Sequence, residues 1–144
     1  MNYYKEHSKE FIADTLNCDM SEQYRFFEKH LNSKGTILDL GFGSGRDSLY
    51  FKSEGSDVYS IDPEEEFVKH AKDLGLSNVL CMKAQEMKFD NMFDGIWACA
   101  SLLHCTKAEL PCILMKIRDA LKPGAFFYAS FKYGDYEGDR NGRF

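Results

Sequence analysis

The sequence lacks any excess of basic residues: 18 Lys and Arg stand against 23 Asp and Glu, for a formal charge of −5. A nucleic-acid backbone is therefore not an expected partner, because that binding depends on clustered cations that release counterions. Long apolar runs are also missing. Nothing approaches the roughly 18 residues of a membrane span, and Met1-Asn2-Tyr3-Tyr4-Lys5-Glu6 has no apolar leader. No membrane partner is expected, and the expected location is the cytoplasm. The five cysteines (Cys18, Cys81, Cys99, Cys105, Cys112) form an odd set without a CxxC pair, and a chain of this size needs no disulfide staples. His104, Cys105 and Cys112 lack zinc-type spacing, so no metal site is expected.

What is present is a core: 44% hydrophobic residues, 15% of all residues aromatic, in 144 residues. That is enough apolar surface for one domain. It divides into an N-terminal helical cap (1–34), a core (35–132) and a glycine-rich, charged tail (133–144) read as irregular. Helical spacing over 8–16 and 20–32 (Phe11, Ile12, Leu16; Tyr24, Phe26, Phe27, Leu31) predicts two N-terminal helices, with Ser8 and Ser21 as N-caps.

The core then alternates. Thr36-Ile37-Leu38-Asp39-Leu40 reads as a strand, Gly41-Phe42-Gly43-Ser44-Gly45 as a tight loop, and the residues up to Gly55 as a helix. A strand over 57–62, a helix over 64–74, and strands over 78–82 and 93–100 follow. Next come a helix over 107–121, a turn at Lys122-Pro123-Gly124 and a strand over 125–132. Strands separated by helix-length crossovers imply a parallel sheet with right-handed connections.

A glycine loop opening onto a helix lets backbone approach a ligand closely, and it serves dinucleotides and adenosyl cofactors alike. A dinucleotide fingerprint, GxGxxG, would place its third glycine at position 46, where Arg46 stands; the glycines instead run GxGxG. Asp39 ends the first strand, where a carboxylate would face a ligand's cationic end and repel a pyrophosphate. Asp62, 23 residues beyond Asp39, ends the next strand, where a carboxylate can accept both ribose hydroxyls. It could also cap the helix that starts near Pro63.

Asp-x-Gly-x-Gly-x-Gly from Asp39 to Gly45 resembles the first motif of the class I S-adenosylmethionine-dependent methyltransferases. The likeness runs from residue 36 to about 132. It implies a Rossmann-like α/β sandwich of three layers with a mostly parallel sheet, order 3-2-1-4-5, truncated to about five strands. It also implies S-adenosyl-L-methionine as cofactor, S-adenosyl-L-homocysteine as product and a small-molecule methyl acceptor. The alternative is a cofactor-binding protein or a C-terminally truncated methyltransferase with little or no catalysis.

The cofactor residues implied are Asp39, Gly41, Phe42, Gly43 and Gly45 at the amino-acid end, Asp62 and Pro63 at the ribose, Ala84 and Gln85 at the adenine, and Cys99 beneath the methionine. Gln85 reads equally well as a solvated loop residue. Phe42 would either pack over the cofactor or narrow its pocket. Trp97 reads as a core residue. His104, after the fourth strand, is the candidate general base, since imidazole takes a proton near neutral pH. Tyr3 and Tyr4 form either a flap over the cofactor or ordinary packing. Gly45-Arg46-Asp47-Ser48 with Leu102-Leu103-His104 is similar to methyltransferases of the tellurite-resistance type. The fifth strand is an apolar edge on which a second copy of the chain could pair.

Overall fold

The computed structural model describes residues 19–31, 35–99, 102 and 105–130. The expected helix over 8–16, Tyr3, Tyr4, Cys18, His104 and the tail over 133–144 lie outside the described residues. The described chain runs α1 (Ser21–Lys29), β1 (Thr36–Leu40), α2 (Arg46–Ser53), β2 (Asp57–Asp62), α3 (Glu65–Asp73) and β3 (Asn78–Cys81). A 3-10 turn (Ala84–Glu86), β4 (Phe93–Cys99), α4 (Leu110–Ala120) and β5 (Leu121–Ser130) complete it. All strand pairs are parallel, in the order β3-β2-β1-β4-β5. The expected order is the observed one.

Successive strand residues point to opposite faces, and two apolar layers result. Leu38, Ile61, Ile96 and Ala98 face α4, through Ile113 and Ile117. Ile37, Val58 and Trp97 face the other way, against Tyr24 and Phe27 of α1 and Phe51 of α2. Helix α1 approaches β4 at Gly95, where an added Cβ would lie 2.7 Å from Phe27 and 2.6 Å from Leu31. Only glycine admits that contact.

Three boundaries differ from the sequence expectation. Ser21 is not the N-cap of α1: Met20 holds that position, and Asp19 accepts the Ser21 N–H at 3.0 Å. An ionised carboxylate is a stronger acceptor than a hydroxyl, so it takes the exposed donor. The helix expected over 107–121 begins at Leu110, because Thr106 and Glu109 first bond each other's backbone N–H groups at 2.9 and 3.1 Å. The expected turn at Lys122-Pro123-Gly124 lies inside β5. Leu121 pairs with Phe93 and Phe126 with Gly95, so the residues between them bulge from the ladder, with Gly124 at φ 80°.

The strand order reverses direction between β1 and β4. In open parallel sheets, ligands bind in the crevice outside the carboxyl ends of the strands at such a reversal. Here that crevice is bordered by the glycine loop, Asp62 and Cys99.

Candidate functional site

Gly41, Gly43 and Gly45 have φ of 74°, 56° and 88°, a region that costs a side-chain-bearing residue about 1–2 kcal/mol. The loop's shape thus requires its glycines. Its N–H groups are used within the protein. Those of Gly41 and Phe42 both donate to the Ile61 carbonyl, at 2.8 and 3.2 Å, and that of Gly45 to the Phe42 carbonyl at 3.0 Å. The Gly43 N–H donates to Asp62 Oδ2 at 3.1 Å. A pyrophosphate would find these donors engaged and two carboxylates nearby. A cationic ligand meets no such obstacle.

Asp39 is only 1% exposed. Its Oδ2 accepts from Ser48 Oγ at 2.7 Å, and Ser48 Oγ lies 2.7 Å from Ser60 Oγ. The carboxylate therefore turns toward the first turn of α2, and it acts on the crevice through its field rather than from the surface. Burial pushes its pKa well above the usual carboxylate range; the charge of Asp47 adds to this, and the Ser48 bond opposes it.

Asp62 is 6% exposed. Besides the Gly43 N–H, it accepts the Glu64 N–H on Oδ1 at 2.9 Å. It thus ties the loop to the start of α3 and also partners the helix terminus. Each carboxylate oxygen retains a lone pair beyond these bonds. Burial pushes its pKa up to about 6, against the lowering effect of the Glu64 and Gly43 N–H groups.

The other sequence candidates are placed less uniformly. The Phe42 ring neither packs over the crevice nor narrows it. It is buried among Phe67, Val68, Ala71, Leu76 and Val79, since an apolar ring gains more from that contact than from exposure. Pro63 is exposed and precedes α3. Ala84 packs partly against the α4 layer. Gln85 donates from Nε2 to Glu109 Oε2 at 3.0 Å, tying the 3-10 turn to the residue before α4. Cys99 ends β4, with Ser130 Oγ 3.5 Å from its sulfur; burial pushes the thiol up, and the Ser130 bond opposes this.

Sequence reasoning missed one group. Asp47, 5% exposed, accepts Arg46 through Nε at 2.7 Å and Nη2 at 3.1 Å. It also accepts Trp97 Nε1 at 2.8 Å and the Tyr24 hydroxyl. Burial and the Asp47 charge raise the Tyr24 pKa above its ordinary range. Burial works against the Arg46 charge, but its bonds to Asp47 outweigh that and hold its proton more tightly than usual. Three elements and the loop end thus share one carboxylate. The only sequence sign was a charged dipeptide directly after the third glycine.

A cavity of about 480 Å³ lies between the start of α1 and α2, lined by Asp19, Met20, Tyr24, Arg46, Leu49 and Tyr50 among others. Of its lining residues, Arg46 also lies near the end of β4, with Nη2 3.7 Å from the Cys99 sulfur. Among the described residues no cluster of His, Cys, Asp or Glu is placed to hold a metal, and no helix is long and apolar enough to cross a membrane.

Comparison with known proteins adds a family. A family model described as a methyltransferase domain matches residues 37–124. YqeM of Bacillus subtilis (strain 168), which bears the name of a methyltransferase, is 31% identical over 90 residues, covering 59% of this chain and 36% of YqeM. The PH0226 protein from Pyrococcus horikoshii OT3 superposes with a TM-score of 0.70 at 23% identity, over 80% of this chain and 60% of that one. A SAM-dependent methyltransferase from Methanosarcina mazei gives 0.67 at 29% identity, over 74% and 56%. The Burkholderia thailandensis 1,6-didemethyltoxoflavin-N1-methyltransferase, with its substrate and S-adenosylhomocysteine bound, gives 0.71 at 23% identity, over 88% and 56%. The chain therefore spans about a third of YqeM and less than two thirds of these structures. The family match covers more than half of the chain, and with the strand order it shows that this protein belongs to the class I S-adenosylmethionine-dependent methyltransferases.

Proposed function

We propose that this domain binds S-adenosyl-L-methionine over the carboxyl ends of β1, β2 and β4 and positions it for methyl transfer to a small-molecule acceptor. One observation carries the reading: a glycine loop whose own N–H groups are engaged, flanked by the carboxylates of Asp39 and Asp62. That donor set fits a ligand with a cationic amino-acid end and a ribose, and it fits a pyrophosphate poorly.

When bound, the cofactor supplies an electrophilic sulfonium methyl group and leaves as S-adenosyl-L-homocysteine. Gly41, Gly43 and Gly45 let the backbone approach its amino-acid end. Asp62 holds the ribose hydroxyls, with Pro63 beside it. Ala84 and Gln85 flank the adenine, and Cys99 supports the methionine arm. His104 takes the proton from the acceptor's nucleophile. Holding the two reactants together supplies most of the acceleration.

The substrate reading draws on the Burkholderia thailandensis enzyme, whose structure holds 1,6-didemethyltoxoflavin. The edge of β5, which pairs only with β4 among the described residues, is where a second copy would pair. Gel filtration showing a clean monomer rejects that version.

Calorimetry with S-adenosylmethionine and NAD side by side tests the cofactor. Binding of NAD alone overturns the reading. Asp62→Ala is expected to weaken cofactor binding by about 1–3 kcal/mol through loss of charge-assisted hydrogen bonds; unchanged affinity rejects the ribose role. His104→Ala is expected to lower turnover and spare cofactor affinity, and unchanged turnover removes it from the mechanism.

A further inference from the structure

The cavity between the start of α1 and α2 has a regular wall. Leu49, Tyr50 and Ser53 line it, at the spacing of one stripe along α2. The other side of α2 already has a partner. Ser48 bonds to Asp39 and Ser60 there, and Phe51 packs against Ile37 and Val58. Helix α2 therefore carries apolar side chains on two sides, with Leu49 and Tyr50 half-buried on the outer one. A helix on a protein's surface ordinarily has one apolar stripe, so a second stripe calls for a second partner. Helix α1 supplies part of it: Tyr24 stacks on Tyr50 at 4.0 Å, and Glu28 accepts the Tyr50 hydroxyl at 2.7 Å. Among the described residues, the rest of the stripe borders the cavity.

The chain itself arrives at this place. Asp19 and Met20 line the cavity, and Leu16 stands three residues before Asp19. At about 3.8 Å per Cα step, Leu16 is confined to within about 11 Å of Asp19. The sequence over 8–16 is amphipathic at helical spacing, with Phe11, Ile12 and Leu16 on one side and Glu10 and Asp14 on the other. As a helix it would span about 13 Å, against about 12 Å for α2. A tethered segment is also present at an effective concentration near millimolar, which a second copy in dilute solution does not reach.

We infer that residues 8–16 dock as a helix along the outer stripe of α2, with Phe11, Ile12 and Leu16 filling the cavity beside Leu49 and Tyr50. The groove is thus an internal docking surface for the chain's own N-terminal segment. Docked there, the segment lies along the outside of α2 and not over the glycine loop. It also covers the cavity side of Tyr24, whose hydroxyl bonds to Asp47.

Trypsin cleavage after Lys9 in the full chain, followed by mass spectrometry, tests this against a synthetic peptide of residues 1–18. The segment in the full chain is expected to be cut at least about tenfold more slowly than the peptide, because cleavage requires it to leave the groove. Ser53→Arg places a long charged side chain in the groove from an exposed position. Ile12→Asp places a charge on the apolar side of the segment. Each is expected to bring cleavage to within about threefold of the peptide's rate.

Wild-type cleavage at the peptide's rate overturns the inference. So does protection that survives Ile12→Asp, or that survives both Ser53→Arg and Leu49→Asp, since the segment would then pack elsewhere. Protection that falls on dilution, with a matching change from dimer to monomer in gel filtration, gives the groove to a second copy and overturns it as well.

Discussion

Arg46-Asp47 and Arg118-Asp119 are the same dipeptide making the same kind of contact in opposite surroundings. In each, the arginine Nε and Nη2 reach the following carboxylate, at 2.7 and 3.1 Å in the first pair and 3.3 and 3.1 Å in the second. The first pair has side chains 18% and 7% exposed, the second 69% and 57%. Among the described residues, only the first is joined by further side-chain donors, from Tyr24 and Trp97. An exposed pair loses most of its Coulomb energy to water and salt. A buried one cannot lose a partner without leaving a desolvated charge behind. The difference lies in what packs around the dipeptide, and nothing within the dipeptide announces it.

Removing the two carboxylates tests this most directly. Asp47→Ala is expected to cost about 3–5 kcal/mol, the range for uncompensated loss from a buried pair, whereas Asp119→Ala stays within about 0.5 kcal/mol. Urea unfolding of both variants measures the contrast, and similar midpoints would dissolve it.

A smaller effect is expected at the neighbouring buried carboxylate, Asp62, and it depends on pH. Burial raises its pKa from 3.8 to about 6, so between those values the folded chain keeps a proton that the unfolded chain has released. Stability should therefore fall as pH rises from about 4 to about 6, by on the order of 1–3 kcal/mol, and level off above. Asp39, also raised by burial, contributes with the same sign. Asp62→Asn should flatten its share of the slope when the two proteins are unfolded in urea across this range. Cofactor affinity should run the other way, weakening as acid protonates Asp62.

Smaller still is the expected loss from Tyr24→Phe, which removes one donor to Asp47 and keeps the ring that stacks on Tyr50 at 4.0 Å. About 1 kcal/mol is expected from one hydrogen bond to a carboxylate that retains its others. Thermal unfolding of Tyr24→Phe beside Asp119→Ala shows whether a neutral donor to the buried pair outweighs the whole exposed one.

The strands, the glycine loop and the helices were legible because each of these signals is local, whereas the order of the strands in the sheet came from the likeness to the methyltransferase family. Thr36 to Leu40 alternates into a glycine loop, and Asp62 ends the next apolar run. The helix starts were less legible, because capping is a competition among nearby acceptors. Asp19 supplanted Ser21, and Thr106 with Glu109 delayed α4. The Phe42 ring was misplaced for another reason: its partners, Phe67, Leu76 and Val79, are far along the chain. Asp47, Tyr24 and Trp97 were illegible in the same way. Their meeting requires α1, α2 and β4 to pack, and no short window holds all three. The likeness of Gly45-Arg46-Asp47-Ser48 to the tellurite-resistance type also changes weight, since Asp47 and Ser48 are buried bonding partners rather than residues that would name an acceptor.

The commitment of the loop's amides to β2 bears on how a ligand arrives. With the N–H groups of Gly41 and Phe42 on the Ile61 carbonyl and that of Gly43 on Asp62, the loop is already tethered at three points before any encounter. Association then orders little backbone, and its rate should be set by diffusion into the crevice rather than by waiting for the loop to close. Those three amides should exchange slowly with solvent deuterium even in the ligand-free protein.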